Sequence, residues 1–302
     1  MTEDFVEQIK SELCPDGIWR LSDRMKNILK RQINRLPKGN ATEEETMYPG
    51  TASGMRAFLE VFFSRHYFQV QNSLLDYVDS EDFEGVLNDG EIRILDIGCG
   101  PAVGVLAVTN MITCILENRN NLRQYPIRFF YVLNDTSEIC LAIGQRMLNE
   151  YFDLYRAEGI GIGEHRILTN ERDFPDNAGQ LERIAKNYGA YHLEMFSYVI
   201  RPLTDENGVG SLGKNIINTE KLCEPCGRIL ILQDRYRETL MRALGRQIDV
   251  SVENKELIQE IFPNRGTEES NTYSYYQSLY KPSNRSGEAV ADGAKGATFE
   301  GV

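Results

Sequence analysis

The sequence has few of the residues from which metal sites are built. Its 302 residues include three histidines and six cysteines. His66, His165 and His192 lie far apart, and the pair Cys223 and Cys226 in "CEPC" has no second C-x-x-C near it. A tetrahedral zinc site needs four ligands, so we expect no metal site. We interpret "CEPC" as a turn that leads into a strand, since a thioredoxin-like motif would begin a helix.

The sequence also lacks the segments that carry proteins into or across membranes. No apolar run approaches the roughly 20 residues of a membrane span, and the start, "MTEDFVEQIK", is acidic where a secretory signal would be basic. The scattered cysteines suit a reducing compartment, so we expect a cytoplasmic protein with no membrane partner. The net charge of −12 disfavours a nucleic acid held by its phosphates, although it does not exclude a local basic groove.

Three zones follow one another along the chain. Residues 1–82 carry apolar residues at helical spacing and predict an N-terminal helical cap. Residues 83–281 alternate short apolar strands with longer amphipathic segments and end in "NTYSYYQSLYKP", which we expect to be an antiparallel edge strand. This alternation predicts an α/β fold, a Rossmann-like and mostly parallel sheet with helices on both faces. Residues 282–302 are small, polar and Gly-rich, and predict a disordered tail.

The most informative stretch is "ILDIGCGPAVG", in which an apolar strand ends at Asp96 and a glycine turn follows. Ligands of open α/β sheets bind beyond the carboxyl ends of the strands, and Gly98 and Gly100 would let the backbone approach one closely. Such a turn suits NAD, FAD, another nucleotide or S-adenosylmethionine, or it is a tight turn with no ligand. No Lys-Ser or Lys-Thr follows, which excludes a P-loop, and Val103 replaces the third glycine of G-x-G-x-x-G.

Two acidic residues narrow this choice. A carboxylate at Asp96 is awkward beside a pyrophosphate but suits an amino group or ordered water. The next strand ends in "VLNDTSE", which places Asp135 where an acidic residue can accept hydrogen bonds from ribose hydroxyls. The alternative is that Asp135 stabilises the N-terminus of the following helix.

With these residues in place, the stretch resembles the first motif of the class I (Rossmann-like) S-adenosylmethionine-dependent methyltransferases, with no subfamily identified. Gly98 and Gly100 match the first two glycines of the family's G-x-G-x-G, and Ala102 stands at the third. The resemblance implies S-adenosylmethionine as cofactor. It also implies that Asp96 orients the cofactor's amino group and that Asp135 binds its ribose.

Looser matches extend the resemblance to about residue 235. They imply that Thr136, Asp173 and Phe174 lie beside the adenine and that Phe196, at the end of the fourth strand, also contacts the cofactor. For Asp173 and Phe174 the alternative is a surface loop with core packing.

The segment "AYHLEMFSYVIRPL" supplies the candidates for acid–base chemistry. In the family, residues at the end of this strand border the methyl group and the acceptor. Glu194 and Tyr198 are therefore candidate catalytic residues if the acceptor must lose a proton. A glutamate within a central strand is costly unless paired, so Glu194 is either a site residue or half of a buried pair with Arg201.

The N-terminal zone carries two further hypotheses. Tyr48, in the connection "MYPGTASG", belongs to a loop that closes over the cofactor as a lid, or the connection is a helix-joining turn that ends in a Thr or Ser cap. The aromatic run "FLEVFFSRHYF" indicates core packing or an oligomer contact, and the N-terminal helices offer a surface for a homodimer.

The resemblance thus implies an enzyme, a methyltransferase, and the acidic charge and the aromatic content favour a small-molecule acceptor enclosed by the helical cap. Three alternatives remain open: a non-catalytic methyltransferase-like binding protein, an RNA or protein methyltransferase, and an NAD-dependent oxidoreductase. The acceptor and the oligomeric state are not specified by the sequence.

Overall fold

The structure, a computed structural model, describes residues 3–118, 126–158, 162–199, 208–260 and 270–282. The strands are β1 (Ile18–Trp19), β2 (Glu91–Ile97), β3 (Ile127–Asp135), β4 (Ile162–Glu171), β5 (Tyr191–Ser197), β6 (Cys223–Asp234), β7 (Glu253–Glu260) and β8 (Ser270–Tyr280). The helices are α1 (Glu3–Leu13), α2 (Asp23–Arg35), α3 (Glu43–Met47), α4 (Ala52–Val61), α5 (Phe63–Val78), α6 (Glu81–Asn88), α7 (Val103–Asn118), α8 (Glu138–Ala157), α9 (Ala178–Tyr188), α10 (Gly208–Thr219) and α11 (Glu238–Ile248). Residues 283–302 of the predicted tail, and Arg201, lie outside the described residues.

The strands form one sheet in the order β1-β7-β8-β6-β5-β2-β3-β4. Strands β2 to β6 run parallel, and β8 is antiparallel to both of its neighbours. The order reverses between β2 and β5, so the chain winds outward from this point in both directions. The Rossmann-like, mostly parallel sheet predicted from the sequence is confirmed. In such sheets the reversal point opens a crevice at the carboxyl ends of the strands.

The strands beyond β6 are arranged differently from the arrangement that the sequence predicted. β8 was expected at an edge, but it lies between β6 and β7. β7, whose sequence "ENKELIQE" is mostly charged and polar, was not predicted, because its burial is limited to alternate positions such as Leu257 and Gln259. The edge is formed by β1, which the N-terminal zone supplies and which pairs in parallel with β7. A strand of two residues is too short to leave a periodic signal in the sequence.

Helices cover both faces of the sheet. Alternate residues of β2 show the division: Ile92 and Ile94 pack with α7, α8 and the N-terminal helices, whereas Leu95 and Ile97 pack with α9, α10 and α11. Helix α7 is buried at every position from Val103 to Leu116. An α-helix that is apolar all round lies inside a core, and α7 lies between the sheet and the N-terminal helices.

The N-terminal helices share the core of the α/β domain. The boundary expected after residue 82 falls inside α6, and side chains from α1, α2, α4 and α5 join the same apolar cluster as those of α7 and α8. Phe63, Tyr67 and Phe68 of the aromatic run are buried in that cluster. These rings therefore contribute to the protein's own interior, which is one of the two roles that the sequence left open.

Short polar side chains fix where several of these helices begin. Thr42 and Glu45 form a reciprocal capping box at α3, in which the Thr42 hydroxyl accepts from the Glu45 amide at 3.1 Å. The Thr51 hydroxyl accepts from the Gly54 amide at 3.1 Å and starts α4. The connection around Tyr48 thus ends in the threonine cap that the sequence offered as one of its two interpretations.

Helix α8 packs directly against the turn that follows β2. A Cβ atom placed on Gly144 would lie 2.8 Å from the Cβ of Ala102 and 2.9 Å from the carbonyl carbon of Pro101. Ala102 is fully buried and has a φ of +56°. The missing side chain at Gly144 lets α8 lie against the turn and hold it from behind.

We predict that Gly144→Ala lowers the free energy of unfolding by roughly 1–3 kcal/mol, because the added methyl group meets the backbone of the turn. Gly85→Ala in α6 is the matched control. A Cβ at Gly85 meets nothing within 4 Å, so the change is expected to be neutral or to stabilise by up to about 1 kcal/mol through helix propensity. Urea unfolding of both variants measures the difference, and equal stabilities would contradict the tight contact.

Candidate functional site

A cavity of about 620 Å³ lies at the carboxyl ends of β2, β3 and β5. Its walls come from the turns after β2 and β3, the loop after β4, the end of β5, and the N-terminal helices with their connection at residues 47–50. Small-molecule sites commonly enclose roughly 300–1,000 Å³. The cavity therefore lies where the fold predicts a ligand and is large enough for one.

The turn after β2 lines the cavity with two glycines in the left-handed region. Gly98 has a φ of +64° and Gly100 a φ of +53°. A Cβ on Gly98 would lie 1.9 Å from Cγ1 of Val199, so the packing of the protein itself requires glycine there. A Cβ on Gly100 would meet no protein atom within 4 Å. Gly100 is thus the place where backbone lies open to a ligand.

Asp96 lines the cavity with a carboxyl oxygen that has no partner. The side chain is 1% exposed, and its Oδ1 atom accepts no hydrogen bond within the part of the chain that the structure describes. Burial, and then the charge of Asp135, raises the pKa of Asp96 well above its usual value. A buried acceptor without a donor is costly. A ligand that carries an ammonium group would supply the missing donor.

Asp135 holds the glycine turn from the neighbouring strand. Its Oδ2 accepts from the Gly100 amide at 2.8 Å, and its Oδ1 accepts from the Ser137 amide at 2.8 Å. Burial raises the pKa of Asp135, and the backbone hydrogen bonds counteract part of that rise. A carboxylate offers about four lone-pair positions, so both oxygens keep capacity for a ligand's hydroxyl groups.

The N-terminal connection is fastened beside Asp135. The Ser137 hydroxyl donates to the Pro49 carbonyl at 2.9 Å, and the same oxygen accepts from the Cys140 amide at the start of α8. Tyr48 lines the cavity and is 42% exposed. The connection thus forms a wall of the cavity, and its movement as a lid stays a prediction.

The loop after β4 brings two more of the predicted residues to the cavity. Asp173 and Phe174 both line it, as does Thr136 from the turn after β3. The Asn134 amide fixes this loop by donating to the Asn170 and Arg172 carbonyls at 2.9 and 2.7 Å.

Two residues predicted to contact the cofactor do not line the cavity. Ala102 is fully buried where the turn packs against Gly144, so the third small residue of the motif serves contact between the turn and α8. Phe196 is also fully buried and packs edge-on against Phe174 with ring centroids 5.6 Å apart. The alternation along β5 turns Phe196 into the core that lies beneath α9 and α10.

Glu194, one of the two candidate catalytic residues, does not line the cavity either. It is fully buried in β5, and neither carboxyl oxygen accepts a hydrogen bond from a described residue. The nearby Thr219 hydroxyl donates to the Ile216 carbonyl at 2.8 Å. Burial, and to a smaller extent the charge of Glu220, raises the pKa of Glu194 to about 8. A protonated side chain at neutral pH accounts for a glutamate inside a central strand.

Tyr198, the other candidate, lines the cavity in an unusual backbone conformation. Its φ is +64°, a region that non-glycine residues seldom adopt. Its hydroxyl donates to Oε1 of Gln69. Burial raises the pKa of Tyr198 well above its usual value, so the phenol keeps its proton and acts as a hydrogen-bond donor.

The sequence predicted a helical cap, but it did not identify the residues with which that cap lines the cavity. Phe58, His66 and Val70 line the cavity, and with Phe62 they recur at every fourth residue along α4 and α5. Such spacing marks one helix face. The pattern was visible in the sequence, but it does not show which part of the fold that face meets.

The described residues contain neither a metal site nor a membrane-spanning helix. No group of histidine, cysteine, aspartate and glutamate side chains in them could hold a metal ion. None of their helices combines the length and the apolar character that a membrane crossing requires.

Comparison with known proteins gives matches in structure alone. No family model matches the chain, and no curated protein matches its sequence. Among solved structures, a SAM-dependent methyltransferase from Agrobacterium tumefaciens aligns with a TM-score of 0.39 at 13% identity, over 74% of this chain and 64% of that one. A precorrin-6y C5,15-methyltransferase from Geobacter metallireducens gives 0.36 at 13% identity, over 67% of this chain and 89% of that one.

A TehB-like SAM-dependent methyltransferase from Corynebacterium glutamicum aligns with a TM-score of 0.32 at 16% identity, over 72% of this chain and 97% of that one. These scores and identities are low. The fold is therefore assigned from the strand order of the sheet.

The buried Glu194 generates a prediction about stability and pH. The pKa of the Glu194 carboxyl is about 4.5 in the unfolded protein and about 8 in the folded protein. The folded protein is therefore least stable when this carboxyl is charged. Stability is therefore lost as pH rises between these values, by up to about 1.4 kcal/mol per pH unit. In Glu194→Gln the contribution of this carboxyl is expected to be absent, so that stability falls less steeply with pH. Urea unfolding of both proteins across this pH range measures it, and parallel pH profiles would contradict the assignment.

Proposed function

We propose that the protein is an S-adenosylmethionine-dependent methyltransferase. The observation that carries the proposal is the arrangement at the end of β2. There the unpartnered carboxyl oxygen of Asp96, the open backbone at Gly100 and the carboxylate of Asp135 border one cavity. This set matches, residue by residue, the motif that the sequence shares with class I methyltransferases.

The chemistry of these residues fits the cofactor. Asp96 supplies a buried negative group for the ammonium of the methionine part, and Gly100 admits that part close to the backbone. Asp135 has acceptor capacity for the ribose hydroxyls, while Phe174 and Thr136 offer an apolar ring and a hydroxyl group to the adenine. The cavity lining is thus complementary to a ligand that carries a positive charge at one end and a flat ring at the other.

A dinucleotide fits these residues less well. Its pyrophosphate would need the backbone amides of the glycine turn, but the Gly100 amide already donates to Asp135, and Asp96 offers an acceptor oxygen there instead of a donor. Arg172 is the one cationic side chain among the described residues that line the cavity, and it belongs to the loop after β4. The carboxylates therefore favour S-adenosylmethionine over NAD as the ligand of this turn.

When bound, S-adenosylmethionine supplies a methyl group on a positively charged sulfur, which makes the carbon reactive toward a nucleophile. The protein then has three tasks: it binds the cofactor at the glycine turn, it aligns the acceptor with the methyl carbon, and it excludes water. The N-terminal helices close the cavity from one side and suit the last two tasks. We expect the acceptor to be a small molecule that fits inside this enclosure.

Two further expectations stay predictions. A cytoplasmic location follows from the sequence, and the six cysteines are free thiols in the structure. A homodimer through the N-terminal helices would have to use their outer faces, because their aromatic side chains are turned into the core.

We predict that S-adenosylmethionine binds in calorimetry and that Gly100→Ala weakens binding at least about tenfold, because a methyl group enters the space that the cofactor needs. Gly90→Ala is the matched control. Gly90 has a φ of +68°, lies outside the cavity, and likewise has nothing within 4 Å of a Cβ. Both variants carry a similar backbone strain of roughly 1–2 kcal/mol, and only Gly100→Ala alters the cavity.

Equal affinities of the two variants would contradict the role of Gly100, and no binding by the wild type would contradict the proposed cofactor. Gly98→Val is not a useful test. Its side chain would collide with Val199, so lost binding would report a distorted protein.

The raised pKa of Asp96 leads to a second prediction, which concerns proton release on cofactor binding. Its pKa is raised in the free protein, and an ammonium group beside it would lower that pKa, so binding is expected to release up to about one proton. Affinity should then rise with pH until Asp96 is ionised in the free protein. Calorimetry in buffers of different ionisation enthalpy measures the release. Asp96→Asn should abolish it, and an unchanged release in that variant would remove Asp96 from the amino-group site.

A further inference from the structure

The wall of the cavity that the N-terminal helices form together with Tyr198 has a composition of its own. We define the cap wall as Met47, Phe58, His66, Val70 and Tyr198. Four of these residues present apolar or aromatic surface, and none carries a fixed charge. The imidazole of His66 is the group in this wall that can take up a proton, since the Tyr198 phenol keeps its own.

His66 is held in place by aromatic packing. Its ring stacks on that of Tyr198 with centroids 3.7 Å apart and an interplanar angle of 10°. Phe58 and Phe62 contact it from other directions at 5.8 and 5.6 Å. Neither ring nitrogen hydrogen-bonds to any residue in the described ranges. The ring is thus fixed in position, with its nitrogen atoms available to a ligand.

The position of His66 connects it to the cofactor turn. Val199 packs against Gly98. Tyr198 directly precedes Val199 in the chain, and its ring stacks on that of His66. The end of β5 therefore brings His66 and the glycine turn to the same cavity.

Burial, and then the charge of Arg65, lowers the pKa of His66 well below its usual value. Arg65 lies next to His66 on α5 and pairs with Asp234 at the end of β6. The groups that face the ring from the neighbouring segments are Phe58, Phe62 and Tyr198, none of which carries a charge. His66 is therefore a neutral imidazole at physiological pH, the form that accepts protons.

We propose that His66 accepts the proton from the hydroxyl group of a small, uncharged aromatic acceptor during methyl transfer. The proposal rests on the proposed function. In the step, the hydroxyl oxygen forms a bond to the methyl carbon, and the bond from that carbon to sulfur breaks with its electron pair remaining on sulfur. The hydroxyl proton moves to the free ring nitrogen of His66 and leaves later to solvent.

A weak base suffices for this step. A hydroxyl oxygen that is forming a second bond to carbon becomes a much stronger acid than the free hydroxyl. A neutral imidazole within hydrogen-bond reach can therefore take the proton as the bond forms, even though its pKa is low.

The charge of the cavity defines the class of acceptor. Asp96, Asp135, Glu138 and Asp173 line it, against Arg172 as the cationic side chain in the described lining. A phosphorylated or sulfonated acceptor would be repelled by this field. The rings of Phe58 and Tyr198 offer apolar surface to an aromatic molecule, whereas the His66 ring is itself stacked on that of Tyr198.

The experiment has one arm without turnover and one with it. Calorimetry first measures the binding of S-adenosylmethionine, and then the binding of 2-naphthol and 2-naphthyl phosphate to the S-adenosylhomocysteine complex. Transfer of a radiolabelled methyl group to phenol, catechol, 2-naphthol and 4-nitrophenol is measured next. We expect 2-naphthol to bind at least about tenfold more tightly than its phosphate ester and the uncharged phenols to be methylated.

His66→Asn separates proton transfer from packing. With phenol as acceptor, we expect kcat to fall roughly 10²–10⁴-fold, while the affinities for S-adenosylmethionine and 2-naphthol stay within about threefold. With 4-nitrophenol at about pH 8.5, where 4-nitrophenol is ionised but phenol, with a pKa near that of tyrosine, is not, the loss of kcat should be small. The comparison uses kcat at saturating acceptor, so weaker binding of the anion does not enter it. His165→Asn is the control, because His165 also stacks on a ring, that of Phe152 at 4.2 Å, outside the cavity.

Each outcome decides one part of the proposal. Failure of the wild type to bind S-adenosylmethionine overturns the proposed function itself. Cofactor binding without binding or methylation of any uncharged phenol overturns the acceptor class. An equal loss of kcat with phenol and 4-nitrophenol in His66→Asn overturns the role as proton acceptor. Should His66→Asn bind the cofactor poorly, His66→Gln is measured in the same way and decides the question.

Discussion

The hydrogen bond between the Gly100 amide and the Asp135 carboxylate, at 2.8 Å, is the contact on which the candidate site depends. It joins the turn after β2 to the end of β3 and keeps the turn in its left-handed conformation. On the other side, Gly144 lets α8 press against Ala102, so the turn is held from two directions. A carboxylate that fixes the turn is also in place to receive a ligand there.

The N-terminal helices are part of this arrangement. They share one apolar core with α7 and α8, they supply the edge strand β1, and together with Tyr198 they form the cap wall of the cavity. The Ser137 hydroxyl ties their connection to the turn that carries Asp135. The cavity therefore exists because a helical segment, a sheet and a glycine turn fold as one body, and the enclosure that suits a small acceptor arises from the same packing.

Much of the fold could be predicted from the sequence because its signals are local. The turn at Gly98 and Gly100 and the carboxylate of Asp135 stand at the ends of apolar strands, and parallel strands end at the same edge of a sheet. β7 could not be predicted in the same way, because charged residues occupy its exposed face. Ala102 and Phe196 show a related limit, since a motif specifies small or apolar residues without saying whether they face a ligand or the core.

The acid–base groups were harder still to predict. Glu194 lies in the segment where catalytic residues are expected, yet the alternation of β5 turns it away from the cavity. His66 lies far away in sequence and reaches the cavity through the docking of α5, which no local pattern specifies. Tertiary packing thus determines which acid–base residues reach the cavity, whereas a local sequence motif determines the residues at the glycine turn.

The central claim is that S-adenosylmethionine binds at the turn after β2. Nuclear magnetic resonance of protein labelled with ¹⁵N at glycine tests it most directly. Titration with the cofactor should shift the amide signals of Gly98 and Gly100 and leave those of Gly90 and Gly179 unchanged. An absence of shifts at saturating cofactor, or shifts confined to glycines away from the cavity, would contradict the account.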